Sequence, residues 1–182
     1  MKPMLELIKR IFLWIYCMDF YEAVLLLVVT AGAYRYLKIR YSGRPWWKGA
    51  LAFVLVLWFA ALIAQTLLQR TPGPAQEPQW RLFQSYLDAF AGEKELLRSN
   101  FMNAVLFCPA GFLTAELLPE RWKNGTKLVL ILLVFTLVSG AIEWAQLRYG
   151  LGLSQTDDVI HNSLGALLGA WASGAVRRLS EK

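Results

Sequence analysis

GALAFVLVLWFAALIAQTLLQ, residues 49–69, is a run of 21 positions without a charge. About 18 apolar residues suffice to cross a bilayer as a helix, so this stretch decides the class: an integral membrane protein. The whole chain agrees, since 57% of its 182 residues are hydrophobic and only 18% are charged, too apolar for an ordinary soluble domain. Working outward, further apolar blocks lie at about 99–118, 128–147 and 159–176, with a weaker one at about 20–37. They predict an all-α bundle of about five transmembrane helices, a single membrane domain over 1–182.

Residues 1–17 predict a short interfacial helix, with Met4, Leu5, Leu7, Ile8, Ile11, Phe12 and Ile15 opposite Lys2, Glu6, Lys9 and Arg10. Glu6, Lys9 and Arg10 interrupt the apolar run a secretory signal needs, so insertion is expected to rely on the spans themselves. The one long connection, 70–98, opens with Pro72, Gly73 and Pro74 and places Phe83, Tyr86, Leu87 and Phe90 at helical spacing. It predicts an amphipathic helix on the membrane surface, either a lid or a tether. Pro109 removes a backbone donor inside the third span and is expected to kink it. Cys17 and Cys108 form no spacing motif and read as packing residues.

The net charge of +6 does not point to nucleic acid, because the basic residues sit beside apolar blocks, where they set topology and meet anionic lipid. With five spans, eleven of the nineteen Lys and Arg fall on one side: Arg35, Lys38, Arg40, Arg44, Lys48, Arg121, Lys123, Lys127, Arg177, Arg178 and Lys182. That side is expected to be cytoplasmic, with the N-terminus outside and the C-terminus inside.

Given this topology, the out-of-place polar residues share a depth. Asn103, Glu143 and Asn162 each lie about four residues, or roughly 6 Å, inside the outer end of their spans. Gln146 lies closer to the edge, and Arg70 closes the second span. Asp158, Asn162, Gly165, Gly169 and Ser173 form one stripe at helical spacing, a GxxxG pattern extended by Ser173, which is expected to face the bundle interior. Ser139, Glu143 and Gln146 line up likewise, and the two stripes are expected to face each other.

A carboxylate at the centre of a span costs about 2.5–3.5 kcal/mol, less near the edge, so Glu143 invites a partner such as Arg70 or Arg148. A structural ion pair or packing hydrogen bond stands beside a ligand or catalytic site as its reading. Thr156, Asp157 and Asp158 also suit a helix N-terminus, where they cap and favour the dipole. His161 is the single histidine of the chain and, without a second imidazole, reads as a weak metal ligand and somewhat better as a general acid-base group. No cofactor motif or Cys/His metal set is evident; Glu143, Asp157 and Asp158 offer oxygens to Mg or Ca, and equally to an organic cation.

NAVLFCPAGF at 103–112, EWAQ at 143–146 and DDVIHNSLGALLG at 157–169 resemble the signature segments of the VanZ-like membrane proteins. The resemblance covers roughly 50–175. It implies importance for Arg70, Asn103, Pro109, Gly111, Glu143, Gln146, Asp157, Asp158, Asn162 and Gly165. The chain departs from the pattern at Gly152 and Gln155, where many members carry a basic residue and a further acid. Members of the family are associated with resistance to teicoplanin and related lipoglycopeptides, which implies an outward-facing role at the bacterial cytoplasmic membrane. The expected pocket is Arg70, Asn103, Glu143, Gln146, Asp157, Asp158 and Asn162, with Pro109, Gly111, Gly165, Gly169 and Ser173 in helix packing. Expected partners are membrane lipids and a lipoglycopeptide or lipid-linked envelope molecule. Binding or exclusion of an amphiphile is the leading expectation; the alternative is an enzyme modifying a lipid-linked envelope substrate through a carboxylate base or divalent cation.

Overall fold

The computed structural model describes residues 20–74, 77–92 and 95–180. The interfacial helix expected over 1–17 lies outside them. The described elements are α1 (Phe20–Tyr41), α2 (Trp47–Ile63), α3 (Gln84–Phe90), α4 (Glu95–Leu117), α5 (Asn124–Tyr149) and α6 (Thr156–Ser180). α2 runs on into one π turn, Ala64–Leu68. Among the described residues there is no strand, only an isolated bridge between Gln79 and Gln155.

Among the described residues two helices, Trp47–Leu68 and Asn124–Tyr149, are long and apolar enough to cross a membrane. Only 11% and 28% of their apolar windows are buried, whereas the core helix of a soluble protein is mostly buried. Their outer faces carry exposed Phe53, Val56, Leu57, Val129, Leu133 and Leu137. The five apolar blocks lie along helices, and α4 and α6 are more polar than these two. α6 is diluted by His161, Asn162, Ser163, Ser173 and three glycines, and those four polar side chains are buried.

α6 is central: it packs along α4 and, less extensively, on α5. The contact with α4 is so close that no side chain fits at three glycines. A Cβ on Gly165 would lie 2.1 Å from the Ala104 carbonyl oxygen, one on Gly169 1.9 Å from that of Cys108, and one on Gly111 1.9 Å from that of Ala166. The expected pairing of stripes holds at Asp158 and Asn162, which meet Glu143 and Ser139, and is corrected below them. The small residues of α6 face α4, because only glycine lets the two backbones touch; of the stripe, Asn162 is the residue that bonds to α5. α4 continues through Pro109 as one helix. The carbonyl of Leu106, next to the one Pro109 releases, accepts the Trp58 indole N–H at 2.9 Å.

The larger apolar core gathers Leu62, Met102, Phe107, Ile131, Phe135 and Ala166, with Phe59 stacked on Phe135. A smaller one joins Tyr34, Trp47, Leu51, Leu113 and Val176 at the other end.

Candidate functional site: an acid pair at one end of the bundle

Two backbone features bring the site together. The loop before α6 is stitched to the long connection through Gln79, whose N–H donates to the Ser154 carbonyl at 2.9 Å and whose carbonyl accepts the Thr156 N–H at 3.1 Å. The Gln155 side-chain amide donates to Gln79 Oε1 at 2.7 Å. Held this way, the Gln155 backbone N–H donates to Glu143 Oε2 at 2.9 Å, and the Ser154 side chain bonds the same carboxylate. The second feature is the π turn, whose Thr66 carbonyl accepts the Gln146 side-chain amide at 3.1 Å. Single π turns of this kind recur at functional sites.

Glu143 is 6% exposed and interacts electrostatically with Asp158, a like charge on the first turn of α6. The Arg70 guanidinium opposes both carboxylates. Asn103 bonds the Asp158 side chain, and the Asn162 amide donates to Ser139 Oγ at 2.8 Å. Thus Arg70, Asn103, Glu143 and Asp158 converge, with Asn162 and Gln146 bonded beside them to α5 and the π turn.

Three oxygens here lack a donor. Among the described residues, buried Asp158 Oδ1, Asn162 Oδ1 and Gln146 Oε1 meet no donor, and Gln69 Nε2 of the adjoining cleft meets no acceptor. A buried acceptor left unsatisfied costs about 1–3 kcal/mol, so three at one end of the bundle mark a place that favours a hydrogen-bond donor or cation. Beside them, an open cleft of about 360 Å³ is lined by Gln69, Arg70, Thr71, Pro74, Leu151 and Gly152 among others. Arg70 joins cleft to acid pair: its Nη1 donates to the Leu151 carbonyl at 3.2 Å. At Gly152, with φ of +134°, a Cβ would come within 2.6 Å of that Nη1. The guanidinium stands where a side chain at 152 would begin, and Gln155 is engaged with Gln79.

Asp157 is placed differently. Its Oδ1 accepts the Phe83 N–H at 2.6 Å, and its Oδ2 accepts both the Ser85 N–H, at 2.9 Å, and the Ser85 hydroxyl. Asn100 donates to Ser85 Oγ at 2.9 Å, and His161 Nε2 meets the Tyr86 hydroxyl at 2.7 Å. Asp157 and His161 therefore anchor α3, and both also act electrostatically on Asp158 of the acid pair. Among the described residues no three His, Cys, Asp or Glu side chains gather as a metal-binding set.

Sequence reasoning missed a second buried carboxylate, Glu116, at the opposite end. Its Oε2 accepts the Tyr34 hydroxyl and the Lys38 ammonium, each at 2.7 Å; its Oε1 accepts the Ser173 hydroxyl at 2.7 Å, with Arg177 at 3.7 Å. An acid two residues inside the expected end of the third span, with Ser173 at the foot of the small-residue stripe, was the available signal.

A sequence model of the VanZ/LLP1 family matches residues 46–177. The chain belongs to the VanZ-like family. The match starts just ahead of α2 and ends in the last turns of α6, so the acid-pair end lies wholly inside the VanZ-like region. Tyr34 and Lys38, which hold Glu116 from α1, lie outside it. No curated protein and no solved structure matches the chain.

Proposed function

We propose that this VanZ-like protein crosses the bacterial cytoplasmic membrane with α1, α2, α4, α5 and α6, presents the acid pair to the outer side, and there binds or excludes a cationic amphiphile. Lowered susceptibility to teicoplanin-type lipoglycopeptides, which carry cationic groups and an acyl chain, follows from that binding. The orientation is supported by Lys38, Lys127 and Arg177 around Glu116 at the other end, with Arg178 beside Lys127 and Arg177, as cytoplasmic ends favour.

The observation that carries the reading is the trio of unpaired acceptors, Asp158 Oδ1, Asn162 Oδ1 and Gln146 Oε1, beside two carboxylates that share one guanidinium. Such a place has surplus negative charge and spare lone pairs, the complement of an ammonium or a sugar hydroxyl. α3 fits an apolar collar for the acyl chain: Trp80, Leu82, Phe83, Leu87 and Phe90 are all exposed around it.

Expression of the parent protein, Glu143→Gln and Asp158→Asn at equal levels in a susceptible host tests the reading. Each variant is expected to weaken ligand binding about tenfold, the worth of one charge-assisted contact, and to lose most of the protection against teicoplanin. Full protection by both variants would remove the acid pair from the function.

A further inference from the structure

At the end away from the acid pair, a cavity of about 50 Å³ lies between the start of α5 and the last turns of α6. It is lined by Asn124, Lys127, Trp171, Gly174, Arg177 and Arg178 among others. One water needs roughly 10–15 Å³ of such space, so the cavity holds several waters or one group of about phosphate size.

The lining carries cations without enough anions. Lys127 is 3% exposed, yet among the described residues its ammonium donates one long bond, 3.4 Å, to the Leu118 carbonyl. A buried ammonium so thinly paired is costly unless an anion joins it. Glu116 and Glu120 act on it only through space, and the two oxygens of Glu116 are taken by Tyr34, Lys38 and Ser173, with Arg177 close by. Lys38, Lys127 and Arg177 thus share one buried carboxylate, and Arg178 joins Lys127 and Arg177 in the cavity lining. Asn124 also opens α5, whose N-cap, Lys123, makes no side-chain capping bond. The positive end of that helix adds to the same field.

We propose that this cavity binds a phosphate group, with Lys127 and Arg178 as cationic contacts and an anionic phospholipid as the source. Leu128 and the 64% exposed Trp171 line the same cavity and give its polar wall an apolar neighbour, as a lipid headgroup and its chain require. The site is independent of the acid pair and of what binds there.

The test uses the full chain in nanodiscs of equimolar phosphatidylglycerol and phosphatidylcholine, with retained lipid identified by native mass spectrometry. Phosphatidylglycerol is expected to be retained in preference. Arg178→Gln and Lys127→Gln are each expected to lower that preference about fivefold, the usual worth of one basic contact with anionic lipid. Arg44→Gln, basic but outside the cavity lining, serves as the control and leaves it unchanged. Arg178 is exposed, so its variant reads binding even if Lys127→Gln folds poorly. A second arm titrates inorganic phosphate into lipid-free protein and follows thermal unfolding. Stabilisation lost in the same two variants would assign the site to free phosphate, whereas lipid retention without it assigns the site to phospholipid; either upholds a phosphate site. No lipid preference together with no phosphate effect, or equal losses in Arg44→Gln, overturns it.

Discussion

Asp157, on the first turn of α6, accepts the backbone N–H of Phe83 at 2.6 Å from 74 positions away. Phe83 is the one described non-glycine residue with positive φ, +60°, and it makes no cap of its own for α3. A carboxylate from the start of one helix therefore caps the start of another. The surface helix is fixed over the bundle end by charge-assisted bonds that its own sequence does not supply.

Removing that carboxylate is expected to loosen α3 and leave the bundle folded. Asp157→Ala is expected to cost about 2 kcal/mol, since bonds to a charged acceptor are worth about 1.5–3 kcal/mol each and water replaces some of them. Hydrogen exchange would report it as faster exchange confined to residues 83–92, with little change in α4 or α5.

The contact between α4 and α6 tolerates no added methyl. Gly169→Ala and Gly165→Ala are each expected to destabilise by about 1–3 kcal/mol, because the new Cβ meets the backbone of α4, not a movable side chain. Gly140→Ala, with nothing within 4 Å of its Cβ position, is the matched control and is expected to be neutral or slightly stabilising. Thermal unfolding in detergent separates the two classes.

Glu116 holds charge from two helices. Glu116→Ala is expected to cost about 3 kcal/mol, the usual penalty for leaving buried cations without their partner, and Glu116→Gln less, since the amide oxygen still accepts the bond from either Tyr34 or Ser173. A double-mutant cycle with Lys38→Met would isolate the ion pair, and a coupling near zero would show that Lys38 draws its stability from elsewhere.

Gly152 tests the link between cleft and acid pair. Gly152→Ala is expected to strain the backbone by about 1–3 kcal/mol and to displace the Arg70 guanidinium from its 2.6 Å approach. On the proposed function, susceptibility assays would then find Gly152→Ala and Arg70→Gln losing protection to a similar degree. A fully protective Gly152→Ala that folds normally would show that the position of Arg70 does not matter.

The sequence alone determined the all-helical class, and its charge-free run of 21 residues lies along one of the two described helices long and apolar enough to cross a membrane. It also located the group near Glu143, since counting residues from a span end gives depth at 1.5 Å each, and depth is a local quantity. The family was legible in the three quoted segments. Partners were not legible. Helical periodicity says that Asp158, Asn162, Gly165, Gly169 and Ser173 share a face, but not whose face they meet; close packing of Gly165 and Gly169 on Ala104 and Cys108 chose α4. The same limit hid the use of Asp157 by Phe83 and Ser85, and the gathering of Tyr34, Lys38, Ser173 and Arg177 on Glu116. Those bonds join residues tens of positions apart, so they exist only once the chain path brings helix ends together, and it is hydrogen-bond satisfaction in the folded bundle that assigns each carboxylate its work.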